Sequence, residues 1–142
     1  MSVQTQAQGT KSAAVLTMGT LASGAYIVSA AIDLTAVIPL ALTIESEATP
    51  GAAAAGNKQV VMFALWSLDG TNYSTPAAPA VATEPQMHFL GTIPVDTTAL
   101  SRVEIPLQDI RGRYMKLVAK NDCGVALASG QCFTAAWTGV ST

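Results

Sequence analysis

Few side chains in this sequence of 142 residues could do chemistry. His88 is the single histidine. A hydroxyl or thiol nucleophile needs such a base within hydrogen-bond reach. Nothing beside His88 in sequence forms that set, so it reads as a strand residue. The nine carboxylates are scattered: Asp33, Glu45, Glu47, Asp69, Glu84, Asp96, Glu104, Asp109 and Asp122. Glycoside cleavage needs two carboxylates facing each other, and charge this sparse argues against it. Asp69-Gly70-Thr71-Asn72 offers oxygen atoms to calcium but lacks the alternating acids of a calcium loop, so it reads as a turn. Cys123 and Cys132 have neither a nearby histidine nor a second cysteine pair, as a zinc site would. They could face each other across a hairpin. No basic stretch running into an apolar one opens the chain, so no secretory leader is expected and the thiols are expected to be reduced. No catalytic residue, metal or cofactor is expected, and the chain is not expected to be an enzyme.

One charge asymmetry remains. Arg102, Arg111, Arg113, Lys116 and Lys120 gather against Glu104 and Asp109. The plain reading is a solvated strand face. The functional reading is a docking patch for an acidic protein surface, with Tyr73 and Tyr114 completing the candidate protein contacts. Single-stranded nucleic acid would want aromatics interleaved with the cations. A net charge of −2 gives no general attraction to nucleic acid either, and no direct nucleic-acid partner is expected.

Composition points the same way. Half of the residues are apolar, but only 11% are charged, against about a quarter in ordinary soluble domains. Ala, Thr, Ser and Gly fill the gap. Such a surface suits a protein housed in an assembly better than a free monomer. The mean hydropathy of +0.40 raises the question of a membrane. The longest apolar runs are broken by Asp33, Pro39 and Glu45, short of the roughly 20 residues a spanning helix needs, so no membrane partner is expected.

The elements that would carry these residues read as strands. Gln59–Leu68 is the most apolar stretch, and Asp69-Gly70 stops it. Val60, Met62, Ala64, Trp66 and Leu68 fall on one face; Val61, Phe63 and Leu65 fall on the other. A strand apolar on both faces is covered on both. One cover is the domain's own core. The other is either more of the same domain or another protein chain. Further strands are expected over 12–18, 25–34, 37–45, 87–95 (with Gly91 at a bulge), 101–107, 113–120 and 131–138. A single helical turn is expected over 108–112. Residues 46–58 and 71–86 read as loops, the second partly polyproline-like with its three prolines. Period-two alternation places Val103, Ile105, Leu107, Met115, Leu117, Phe133 and Trp137 in the core, and Phe63 and Phe89 are expected to be buried. Residues 1–11 are polar and aperiodic, a flexible or extended N-terminal arm. Residues 12–142 form a single domain. The fold class is all-β: a β-sandwich, with a jelly roll of about eight antiparallel strands the first choice.

Four segments carry a resemblance: Leu65-Trp66-Ser67-Leu68-Asp69-Gly70-Thr71-Asn72-Tyr73; Phe89-Leu90-Gly91-Thr92-Ile93-Pro94; Arg113-Tyr114-Met115-Lys116-Leu117-Val118-Ala119-Lys120-Asn121; and Gly124-Val125-Ala126-Leu127-Ala128. In that order, over roughly 60–138, they resemble small structural proteins of tailed phages, specifically jelly-roll capsid cement or decoration proteins. The resemblance implies a virion protein on the outer capsid surface, made in the host cytoplasm. Its partners would be the major capsid protein, whose neighbouring subunits it would bridge, and its own copies in a dimer or trimer. Two alternatives stand beside it. One is a tail or baseplate component. The other is a carbohydrate-binding β-sandwich module, for which Tyr73, Tyr114 and Trp66 are the stacking candidates.

Overall fold

The computed structural model describes residues 4–35, 39, 41–75 and 77–141. Val37, Ile38 and Leu40 of the strand expected over 37–45 lie outside the described residues, as do the first three residues of the arm.

Among the described residues, ten strands form two antiparallel sheets packed face to face: β1 (Gln4–Gln8), β2 (Leu16–Thr17), β3 (Tyr26–Val28), β4 (Ile32–Asp33), β5 (Ala41–Pro50), β6 (Gln59–Ser67), β7 (His88–Pro94), β8 (Ser101–Leu107), β9 (Tyr114–Asp122) and β10 (Leu127–Ser141). The first sheet runs β1-β10-β5-β8, with β2 also on β10. The second runs β3-β9-β6-β7, with β4 also on β9. The opening strands β1 and β2 pair with the last, β3 and β4 with the penultimate, β5 with β8, and β6 with β7. This nested pairing is that of a ribbon rolled on itself, the jelly roll. Among the described residues no helix is long and apolar enough to cross a membrane.

The core lies between the sheets. On β5, β6 and β9 the alternation turns Leu42, Ile44, Val60, Met62, Ala64, Trp66, Met115 and Leu117 inward, where Ile105 and Leu107 of β8 meet them. Val103 is packed at the margin of this cluster. Phe133 and Trp137 are not in it. Both are half-buried on the opposite side of β10, where the Trp137 indole N–H donates to Thr43 Oγ1 at 3.0 Å. The inner side of β10 is taken by small residues. At Gly130 an added Cβ would stand 3.1 Å from the Met18 side chain, tighter than most real contacts, so larger groups are pushed to the outer face.

Several boundaries differ from expectation. The strand expected over 12–18 shrinks to β2. The one expected over 25–34 breaks into β3 and β4, because Ser29 takes over the ladder: Leu117 N–H donates to its Oγ at 2.9 Å while Ser29 N–H donates to Leu117 O at 2.9 Å. β5 runs on to Pro50, into the expected loop. No helical turn forms over 108–112. The 71–86 stretch carries a 3₁₀ turn at Val81–Gln86. At Gly91 the ladder slips: Met62 faces Gly91 but Phe63 faces Phe89, leaving Leu90 as the extra residue of a bulge.

Both cysteines are buried and free. Burial pushes the Cys132 thiol up to about 11, and it accepts a hydrogen bond from Ser46 Oγ at 3.3 Å.

Candidate protein-contact surface

The outer face of the second sheet carries an apolar stripe that crosses β3, β9, β6 and β7. Val28 pairs with Val118, Val118 with Phe63, and Phe63 with Phe89. The long connection from β6 to β7 folds back over this stripe. Phe63, Leu65, Met87 and Val118 form a second, smaller core beneath it, with Tyr26, Val28, Val61 and Tyr73 at its margins. The second cover expected for β6 is therefore more of the same domain, not another chain.

Two polar devices hold the connection down. At its start, Asp69 accepts from the backbone N–H groups of Thr71 and Asn72, both at 2.8 Å, from the Asn72 amide at 2.7 Å and from Ser67 Oγ at 2.9 Å. These bonds, the Asn72 N–H first, hold the carboxyl well below the usual range. Asp69 is thus the organiser of a tight turn with Gly70 at φ 78°. At the far end Glu84, in the 3₁₀ turn, accepts from Lys120 Nζ at 2.7 Å and from the Tyr26 hydroxyl. The lysine, then the tyrosine, lowers the Glu84 pKa, and Glu84 in turn raises that of Lys120. A group whose folded pKa is lowered adds stability above its unfolded pKa and loses it as pH falls through the folded value. Glu84 is therefore expected to make the wild-type fold less stable on acidification below the ordinary glutamate range. Glu84→Gln should flatten that part of the stability profile in thermal unfolding scans. An unchanged profile would mean that the tie carries no stability.

The candidate contacts separate. Arg102 lies on β8 of the first sheet and donates to Glu47, at 2.8 Å from Nη2, with Glu45 at 3.6 Å. Arg111, in the β8–β9 connection, pairs with Asp109 at 2.7 Å. Arg113 ends that connection and is exposed. Lys116 and Lys120 lie on β9, on the outer face of the second sheet. Lys120 is spent on Glu84. Lys116 sits 4.2 Å over the Tyr73 ring. Tyr114 lies on the same face, half-buried, with its ring against Gly70. So Tyr73, Tyr114, Lys116 and Lys120 come together, Arg111 and Arg113 flank them at one end, and Arg102 is on the other sheet. Among the described residues Arg113 and Lys116 have no acidic partner within ion-pair distance.

The expected stacking residue Trp66 is buried, with its indole N–H donating to His88 Nδ1 at 2.9 Å. His88 is thereby an acceptor in the fold, and burial lowers its pKa.

Sequence reasoning missed the exposed apolar side chains. Leu68 is 73% exposed, Val81 69% and Phe89 58%. Leu68 does not follow Val60, Met62, Ala64 and Trp66, with which it was expected to share a face, into the core, and Phe89, expected to be buried, is exposed. Leu68, Val81 and Phe89 belong to the β6–β7 hairpin or its connection, the part the two polar devices pin, while a fourth, Leu100 at 50%, lies in the β7–β8 connection. Phe89 stands edge-on to Phe63, with centroids 6.1 Å apart. The available signal was an apolar residue set among turn formers: Leu68 precedes Asp69-Gly70, and Val81 lies in a Pro/Ala/Thr stretch. Apolar side chains held outward on an ordered scaffold mark an interaction surface. A groove of about 520 Å³ between the outer face of the second sheet and the start of the connection is lined by Val28, Leu65, Tyr73, Pro79 and Lys116, among others. No protein-family model and no curated protein matches the chain.

Proposed function

We propose that this chain is a structural virion protein that decorates the outer surface of a phage capsid and stabilises it by bridging neighbouring major capsid subunits. The observation that carries the reading is the apolar set Leu68, Val81 and Phe89, displayed on a hairpin pinned by Asp69 and Glu84. A contact element fixed before binding loses little conformational freedom on docking. Three of the four segments that resemble phage decoration proteins also coincide with this surface: they contribute to β6 with its turn, β7, and β9, which are neighbours in one sheet, while the fourth, 124–128, runs into β10 of the other. Lys116 and Arg113 would add orientation and faster encounter with an acidic shell more than affinity.

No specific observation favours the carbohydrate-binding alternative. Trp66 is buried, Lys116 lies over the Tyr73 ring, and Tyr114 packs on Gly70, so the three do not form an exposed row. A tail or baseplate site would use the same kind of contact surface and differs in location.

The test is co-sedimentation of the purified protein with undecorated shells. Wild type should pellet with the shells. Phe89→Glu and Leu68→Asp, both at exposed positions, should stay in the supernatant while melting at the wild-type temperature. A wild-type chain that never pellets, or variants that pellet as well as wild type, would contradict the reading.

A further inference from the structure

We propose that the chain pairs with a second copy of itself through β1, the two strands running antiparallel about Gln6, so that the first sheets of the two copies join. The inference starts from the four sheet edges. An open edge strand is a template for another strand unless something blunts it. β7 ends in Pro94. Its neighbour Val95 donates its N–H inward, to Lys58 O at 2.8 Å, so the proline stands where an N–H would face out. β8 carries Pro106. The β3/β4 edge is broken at Ser29–Ala31. Among the described residues, β1 is an uninterrupted five-residue edge strand with no proline in it, although the edge it shares with β2 along β10 is interrupted at 9–15.

The register of β1 shows which of its peptide groups are free. Gln4 faces Ser141 and Gln8 faces Trp137, and Gly9 N–H continues the ladder to Ala136 O at 2.7 Å. Peptide groups alternate along a strand. Those of Thr5, Ala7 and Gly9 therefore face β10, and those of Gln4, Gln6 and Gln8 face the open side. Gln6, Ala7 and Gln8 are exposed, so no core contact holds these side chains.

The outward set is symmetric about its own centre, which selects a second copy over an unrelated strand. A two-fold axis at Gln6 puts Gln6 opposite its mate and Gln4 opposite the mate's Gln8, each a hydrogen-bonded pair. In a two-fold interface like residues meet across the axis, so a charge near the centre would repel its twin. β1, Gln-Thr-Gln-Ala-Gln, has none. The inference does not depend on shell attachment, and its test uses the protein alone.

Sedimentation equilibrium of the full chain should give the mass of a dimer. Gln6→Pro removes an outward N–H and leaves the ladder to β10 intact, so it should give a monomer with an unchanged melting temperature. Cysteine variants read the register. A hydrogen-bonded antiparallel pair holds its Cα atoms about 5.5 Å apart, within the roughly 4.4–6.8 Å that a disulfide spans. Gln6→Cys should link to itself under mild oxidation. Gln8→Cys alone should not, but Gln8→Cys mixed with Gln4→Cys should. A monomeric wild type, or Gln8→Cys linking to itself as readily as Gln6→Cys, would overturn the proposal. So would a wild type that is monomeric alone while Gln6→Pro loses shell binding, since the edge would then receive a strand of the shell. If Gln6→Pro lowers the melting temperature, the cysteine pattern decides.

Discussion

Replacing Trp66 by alanine is expected to remove about 3–5 kcal/mol of folding stability. The side chain lies between the sheets among Leu42, Met115 and other fully enclosed residues, so its removal leaves a cavity that a β-sandwich backbone closes poorly. The change also takes away the indole N–H that donates to His88 Nδ1. Urea unfolding followed by far-ultraviolet circular dichroism measures the loss. Trp137→Ala is the paired control. Its ring is half-buried on an outer sheet face and should cost about 1 kcal/mol. Equal losses at the two positions would contradict the placement of the core.

Asn121→Ala should cost about 3 kcal/mol. Asn121 is wholly buried at the end of β9, yet it is polar. Its amide donates to Leu21 O and Val125 O, both at 2.8 Å, and its Oδ1 accepts from Cys123 N–H at 3.1 Å. One side chain thus joins the segment before β3 to the turn between β9 and β10. Alanine would leave the Cys123 N–H without its acceptor away from water and take one donor from each carbonyl, although Leu21 O keeps the Leu127 N–H at 3.0 Å and Val125 O the Cys123 thiol at 3.3 Å. Asn121→Asp should be worse, because a carboxylate would face the same two carbonyls. Denaturant unfolding of both variants gives the numbers. A loss below about 1 kcal/mol for alanine would mean that water takes over these bonds.

The sequence was most readable where one face of a strand is wet. β8 occupies 101–107 as expected because it is an edge strand whose Arg102, Glu104 and Pro106 alternate with Val103, Ile105 and Leu107. β6 was clear for the opposite reason: it is apolar on both faces because a second core lies beneath the β6–β7 connection. Alternation gives a face but not which face is inside. Phe133, Ala135 and Trp137 do share a side of β10, but it is the outer one, since Cys132 and Gly130 fill the inner side next to Met18. The cations from 102 to 120 looked like one patch because they are close in sequence. The chain crosses between sheets from β8 to β9, and that crossing splits them. The connection over the second sheet had no periodic signal at all. What orders it is Glu84 reaching Tyr26 and Lys120, partners 58 and 36 positions away. A single sequence does not display pairings at that separation, so the exposed set Leu68, Val81 and Phe89 came from the structure.

On the function proposed above, this chain would clamp neighbouring shell subunits through the β6–β7 side of its second sheet. Electron cryomicroscopy of undecorated shells, imaged with and without the purified protein, tests it most directly. The account predicts added density on the outer surface, straddling the boundaries between major capsid subunits, with Leu68, Val81 and Phe89 turned toward the shell. Shells that remain bare, or density that engages them through the first sheet with the β6–β7 connection facing solvent, would contradict it.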